Sequence, residues 1–308
     1  MNKFLPISRA DVRERGWETL DFVFISGDAY VDHPSFGPAI LCRLLEKHGY
    51  KVGIIPQPDW HSTRDFARLG KPRLAFLVSA GNMDSLLNQF TAAKKRRHED
   101  AYSPGGEGGH RPARAVIVYA NRLRELYPDV PIIIGGIEAS LRRMAHYDYW
   151  SNAIRRSILV DSQADLLIYG MGERAIIEIA ADLQQGIEVG NIQDVQGTCY
   201  RVPNKDYAWD YLELPSFAEV RADKKRFAEA FKLEYLEQDP IRGRRLVQQN
   251  DEWCVVQNPP ALPLTEEQMD EVYDLPYMRT YHPIYEKAGG VPAIKEVQFS
   301  LVSQRGCF

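Results

Sequence analysis

Residues 21–55 read DFVFISGDAYVDHPSFGPAILCRLLEKHGYKVGII, and their pattern decides the fold. An apolar run at 21–25 stops at Ser26-Gly27-Asp28, residues 38–48 place Ile40, Leu41, Leu44 and Leu45 on one helical face, and 51–55 is again apolar. This is the pattern of a strand, a helix and a second strand. In such a βαβ unit the strands are parallel and the crossover is right-handed.

The same alternation recurs down the chain. Apolar runs at 74–78, 131–134 and 166–169 end in Ser79-Ala80-Gly81-Asn82, Gly135-Gly136 and Gly170-Met171-Gly172-Glu173, with helical patterns over 83–95, 113–127 and 174–183. Five strands with helices between them predict an α/β fold, a doubly wound, mostly parallel sheet of order 2-1-3-4-5. Such sheets bind ligands outside the carboxyl ends of their strands, where small residues let a ligand approach the backbone. Gly27, Asp28, Gly81, Gly135, Gly136, Gly170, Gly172 and Glu173 are therefore the candidate cofactor-binding residues, and a small-molecule ligand is the expected partner. The competing explanation for any one glycine is that it only turns the chain from strand to helix.

The run Gly135-Gly136-Ile137-Glu138 opens a helix directly after a strand, a place that favours anions. It is not the G-x-G-x-x-G fingerprint, and no acidic ribose partner follows, so a nicotinamide dinucleotide is not expected. Arg142, Arg143, Arg155 and Arg156 could reach a phosphate, although for helical arginines a solvated face is the default. Lys94–His98 and the glycine-rich 104–112 that follows read as a mobile loop between helices, its basic half at a helix C-terminus. With Glu99 and Asp100 directly after it and a net charge of -4 overall, no nucleic-acid partner is expected.

The chain has 308 residues, 44% apolar and 26% charged, enough for one large or two medium domains. No apolar run reaches the roughly 18 residues of a membrane span, and 1–20 lacks a signal peptide's apolar core, so a cytoplasmic protein without membrane contact is expected. Cys42, Cys199, Cys254 and Cys307 are scattered without C-x-x-C pairing, as reduced, mostly structural thiols would be. Cys42, on the apolar face of the first helix, is expected to be buried and inert.

After about residue 196 the character changes. One more strand at 197–202 gives way to Pro-punctuated, aromatic-rich sequence with helices near 217–236 and 266–273, and 257–264 must be extended because of its prolines. The aromatic clusters Asp148-Tyr149-Trp150 and 207–211 suggest packing between regions. The expected division is a doubly wound domain over 1–203, a connector over 204–292, and a new element over 293–308. That last element, VQFSLVSQRGCF from Val297, alternates like a buried strand and then presents Cys307. Removing 293–308 is expected to shift the melting temperature of the sheet domain by no more than about two degrees.

Q-R-G-C-F after a strand resembles the entry to a radical S-adenosylmethionine (radical SAM) core. The chain as a whole is similar to the N-terminal part of a YgiQ-type radical SAM protein, through 26–36, 94–112, 135–148, 256–277 and 289–308. The resemblance implies a C-x-x-x-C-x-x-C loop whose first cysteine is Cys307 and whose other two lie beyond Phe308, in a C-terminal barrel that these residues do not include. It implies that 296–303 is the first barrel strand and that the full-length protein binds a [4Fe-4S] cluster and S-adenosylmethionine for radical chemistry. It also implies that the N-terminal sheet is of the cobalamin-binding type. The family's D-x-H-x-x-G is absent, since Asp32 and His33 are adjacent and Gly37 comes four residues later, so His33 is not expected to ligate cobalt. Cobalamin held without a protein nitrogen is the residual possibility. The alternative to the enzyme fragment is a self-contained, non-catalytic module that binds a small molecule or cobalamin.

Overall fold

The computed structural model describes residues 4–300. They form two compact units, one of 4–132 with 264–300, the other Ile133–Pro263. These units follow contacts, whereas the division at 203 and 292 follows composition, and the two do not coincide.

The first unit is built on three parallel strands, β1 (Phe22–Ser26), β2 (Val52–Pro56) and β3 (Ala75–Ser79). β1 lies in the middle, in register Phe22 to Val52 and Phe22 to Ala75, which is the 2-1-3 portion of the expected order. Every residue of the three strands is buried, as parallel strands covered on both faces require. Helix α1 (Gly37–Lys47) begins with Pro38 in its first turn, buries Ile40, Cys42, Leu44 and Leu45, and ends at Gly49, whose φ of 86° reverses the chain. Helix α2 (Ser85–Gln89) is far shorter than the expected 83–95. The chain turns back instead, Thr91 N–H donating to Lys95 C=O at 2.8 Å and Arg97 N–H to Gln89 C=O at 2.7 Å. Helix α3 (Ala115–Leu126) buries Ala115, Val116, Tyr119, Ala120 and Leu123, a stripe at helical spacing.

In the second unit, β4 (Ile132–Gly135) pairs in parallel with β5 (Leu166–Ile168), the 4-5 portion of the expected order. Between them lies the single turn α4 (Gly136–Ser140), and α5 (Glu173–Gln184) follows β5. β6 (Thr198–Val202) runs antiparallel to β5. Beyond β7 (Tyr211–Glu213), helices α6 (Phe217–Ala222) and α7 (Lys224–Leu236) meet at Asp223, which caps the second of them. Phe217, Val220 and Ala230 form a small core with Ala145. A hairpin not foreseen in the connector, β8 (Arg245–Asn250) and β9 (Trp253–Gln257), pairs through β9 with β6 and through β8 with β7. The aromatic residues expected to pack between regions are largely exposed: Tyr149, Tyr207 and Trp209 face outward, Trp209 with the Arg245 guanidinium 4.1 Å from its ring centre.

The expected barrel strand at 296–303 is corrected for its described part. Ile294–Val297 is a helical turn, Gln298 N–H donates to Ile294 C=O at 2.8 Å, and the Phe299 side chain is 92% exposed. Pro292 just before the turn favours its start, and the amides of Ile294, Lys295, Glu296, Gln298 and Ser300 bond to carbonyls three or four residues back, not to a neighbouring strand. Residues 301–308, with Cys307, lie outside the described residues.

Candidate site at the strand ends

The first unit brings Gly27, Asp28 and Gly81 together. Gly27 N–H donates to Ser79 C=O at 3.0 Å, so the chain leaving β1 runs against the chain leaving β3. A Cβ on Gly27 would stand 2.1 Å from Ala80 O, and one on Gly81, whose φ is 102°, would stand 2.1 Å from Asp28 Oδ1. Both glycines are required by the chain's own packing. Asp28 itself is 1% exposed.

Two residues that sequence reasoning missed complete this cluster. Arg111, from the loop expected to be mobile, is fully buried; its Nη1 donates to Ala80 C=O at 2.8 Å and its Nη2 to Asp100 Oδ2 at 3.0 Å. The same Nη2 lies 2.8 Å from Asp28 Oδ1 as an ion pair. Asp28 Oδ2 accepts from Asn82 N–H at 2.7 Å. Asp100 also accepts from Asn88 Nδ2 at 2.8 Å, Ser103 Oγ at 2.7 Å and Tyr102 N–H at 2.9 Å.

Two buried carboxylates thus share one guanidinium, and their environments separate them. Burial drives the Asp28 carboxyl up to about 6, only partly opposed by Arg111 and the Asn82 amide, and the Asp100 charge adds to the rise. Burial also works against charge on Asp100, but Arg111 and its three other donors outweigh it and hold Asp100 below the ordinary carboxylate range. Arg111 is held above its own ordinary value because the two carboxylates outweigh its burial. The stable pair is Arg111 with Asp100, and Asp28 is the member that takes a proton.

The loop carrying Arg111 is tied down elsewhere in the unit. Ala29 N–H donates to Tyr102 C=O at 2.9 Å, Ala293 N–H to Ala101 C=O at 2.9 Å, and Gly105 N–H to Gly290 C=O at 2.8 Å. Asp100 and its turn were visible in the sequence as D-x-Y-S, an acid able to accept from the backbone two residues on. Nearby in the chain, His33 Nδ1 accepts from Ser35 N–H at 3.1 Å, and burial lowers the affinity of the ring for a proton. Asp32 is spent on Arg43, Nε to Oδ1 at 3.1 Å.

The second unit holds Gly135, Gly136, Gly170, Gly172 and Glu173. Gly135 is extended and its added Cβ would lie 3.2 Å from Ile168 O, while Gly136 has a φ of 79°. Gly170 has a φ of 69° and open space where a Cβ would be, and its N–H donates to Ser140 Oγ at 3.3 Å. Gly172 precedes α5, with buried Glu173 in the first turn. The arginines nearby are engaged by the unit's own groups. Arg143 Nε donates to Gln257 Oε1 at 2.6 Å and its guanidinium lies 5.0 Å from the Tyr169 ring centre, while Arg155 and Arg156 share Asp161 at 2.7 and 2.6 Å.

Three thiols, Cys42, Cys199 and Cys254, are buried. Burial pushes Cys42 well above its ordinary value, Cys199 up to about 12, and Cys254 upward. Among the described residues, no group of three or more His, Cys, Asp or Glu side chains is placed to hold a metal ion. These residues alone do not fit a [4Fe-4S] cluster.

The profile of the family described as Radical SAM N-terminal matches residues 4–300. The chain belongs to that family. Among curated relatives, a UPF0313 protein of Clostridium botulinum is 59% identical over 305 residues, 99% of this chain and 47% of the relative. A UPF0313 protein of Clostridium perfringens is 59% identical over 307 residues, covering 99% and 46%. The chain spans about half the length of the curated relatives it matches. Among solved structures, the radical S-adenosylmethionine methyltransferase TsrM of Kitasatospora setae, with tryptophan substrate and a SAM analog bound, is similar at 16% identity and a TM-score of 0.38, over 58% of this chain and 28% of that one. A likeness so slight carries no residue of the family over from that enzyme. No described helix is long and apolar enough to cross a membrane.

Proposed function

We propose that this chain is the N-terminal α/β portion of a radical SAM enzyme that, in full length, binds a [4Fe-4S] cluster and S-adenosylmethionine. Residues 293–308 lead into its barrel, and Cys307 supplies one cluster ligand. The observation that carries this reading is the disposition of the thiols: Cys42, Cys199 and Cys254 are buried in the cores of a Radical SAM N-terminal chain, which leaves Cys307 as the candidate ligand. Relatives about twice as long supply room for the rest of the site. Cys307 would hold the cluster together with cysteines of the second half, the cluster would supply electron transfer, and the N-terminal units would shield and position. Reduced, unpaired thiols suit a cytoplasmic protein.

The test uses anaerobic reconstitution with iron and sulfide. The 308-residue chain alone should hold no stable cluster, because one thiolate gives too few ligands. The same chain joined to the second half of the Clostridium botulinum relative should acquire the broad visible absorption of a cluster and release 5'-deoxyadenosine on reduction. Cys307→Ser in that fusion should abolish both, and a cluster that survives the substitution contradicts the assignment.

The second reading is a non-catalytic small-molecule module. The open space beside Gly170 favours the β4 and β5 ends, with Gly135, Gly136, Gly172 and Glu173, as its ligand contacts. Saturable binding of a small molecule by the 308-residue chain, lost in Gly170→Trp, would support it.

A further inference from the structure

We propose that the strand edge of the first unit is a closed ionic latch, in which Arg111 stands where a doubly wound sheet takes its ligand and so excludes cobalamin from the ends of β1 and β3. This stands apart from the cluster reading, which concerns other residues.

The position is the first support. Such sheets open a crevice outside the carboxyl ends of adjacent parallel strands where the strand order reverses, which in the order 2-1-3 is between β1 and β3. Here Gly27 and Gly81 follow β1 and β3, and the guanidinium of Arg111 bonds to the carbonyl of Ala80 between them. The crevice is filled by a side chain of the same unit.

The second support is the fit of the filling. A guanidinium offers a planar fork of donors; here Nη1 bonds Ala80 O at 2.8 Å, Nη2 bonds Asp100 Oδ2 at 3.0 Å and lies 2.8 Å from Asp28 Oδ1 as an ion pair, and Nε has no partner among the described residues. Asp28, Asp100 and Arg111 are each no more than 3% exposed. Buried charges of this kind persist only when paired, and removing one partner leaves the others uncompensated. A cofactor entering here would have to displace Arg111 and leave two carboxylates buried beside it. The glycines do not signal an approaching ligand, since Gly81 makes room for the Asp28 carboxylate and Gly27 for the Ala80 carbonyl.

The third support is what the latch holds. Asp100 reaches Asn88, Tyr102 and Ser103, and Ser103 Oγ accepts from Gln57 Nε2 at 2.7 Å, so one network holds the turn at residues 100–103 together with Arg111. The groups facing Asp28 are Arg111, Asp100 and Tyr102 from that segment and the Asn82 amide from beyond β3.

The test is chemical rescue. Arg111→Ala in the 308-residue chain should lower the Tm by about 10 °C. Guanidinium chloride at about 20 mM, far below denaturing levels, should restore roughly half of that loss, whereas sodium chloride at the same ionic strength should not. A folded Arg111→Ala protein that guanidinium does not stabilise would overturn the latch. Should Arg111→Ala fail to fold, the wild-type protein decides: hydrogen exchange of peptides covering 79–83 and 97–112 should be slow and unchanged by saturating hydroxocobalamin. Fast exchange there without ligand would show that the latch is not closed, a change on adding hydroxocobalamin would place the cofactor at this edge, and either result would overturn the proposal.

Discussion

At the ends of β1 and β3 the glycines are hemmed in by the chain's own carbonyl and carboxylate, whereas Gly170 after β5 has open space where its side chain would be. In sequence the two edges look alike, each a buried apolar run that stops at glycine. In the first unit the glycine is a packing requirement, and close approach is already used up by Ala80 and Asp28. At Gly170 the requirement is the backbone angle alone, since its φ of 69° is what L side chains avoid. Strand-end glycine therefore indicates tight backbone geometry, and only the surroundings say whether a ligand can use it.

The largest effect should come from Gly27→Ala. Its Cβ would meet the Ala80 carbonyl at 2.1 Å, backbone that cannot swing aside, so the expected cost is more than about 3 kcal/mol, measured by urea unfolding. Gly170→Ala should cost about 1 kcal/mol, from the backbone angle only. Equal costs at the two positions would break the comparison.

A second contrast is electrostatic. Asp28 titrates near 6 in the folded protein against an unfolded value of 3.8, so between these pH values the native state holds a proton that the unfolded chain releases. Its ionisation therefore opposes folding, and stability from this group falls as pH rises through about 6. Asp100 has the opposite shift, and its contribution is lost only as pH falls through its own depressed value, below this window. Wild-type protein should lose on the order of 2 kcal/mol between about pH 4 and pH 6.5 from Asp28, with little further change above that. Asp28→Asn should flatten that slope. An unchanged slope would mean that Arg111 keeps Asp28 charged throughout.

What was legible in the sequence was what local pattern determines. The apolar runs of β1 to β5 had little alternative to burial in a parallel sheet, and the Gly49 stop and Pro38 start framed α1. The α2 boundary was not legible, because Asn88 and Gln89 serve tertiary bonds at positions where periodicity alone would extend the helix. The β8–β9 hairpin was missed although L-V-Q-Q-N-D-E-W-C-V-V-Q carries two runs about the two-residue turn Asp251-Glu252. Arg111 was hidden for a different reason. A single arginine between His110 and Pro112 reads as solvent-facing until a buried Asp28 is known to need a cation. Long-range charge pairing has no period in sequence.

The smallest effect is expected where sequence pattern and structure disagree most. V-Q-F-S alternates as a core strand would, yet Phe299 is 92% exposed, while Ile294 just before it is 7% exposed. Ala293 is also buried, and its N–H bonds Ala101 in the segment that carries Arg111, so removing 293–308 takes packing from the first unit and should cost more than the two degrees expected from sequence. Single substitutions separate the two parts. Ile294→Ala should cost about 2–3 kcal/mol through lost burial and the cavity left behind. Phe299→Ala should stay within about 0.5 kcal/mol, since nothing is uncovered. If Phe299→Ala costs as much as Ile294→Ala, the alternating segment is part of the first unit's core in solution, and its helical, outward-facing placement is wrong.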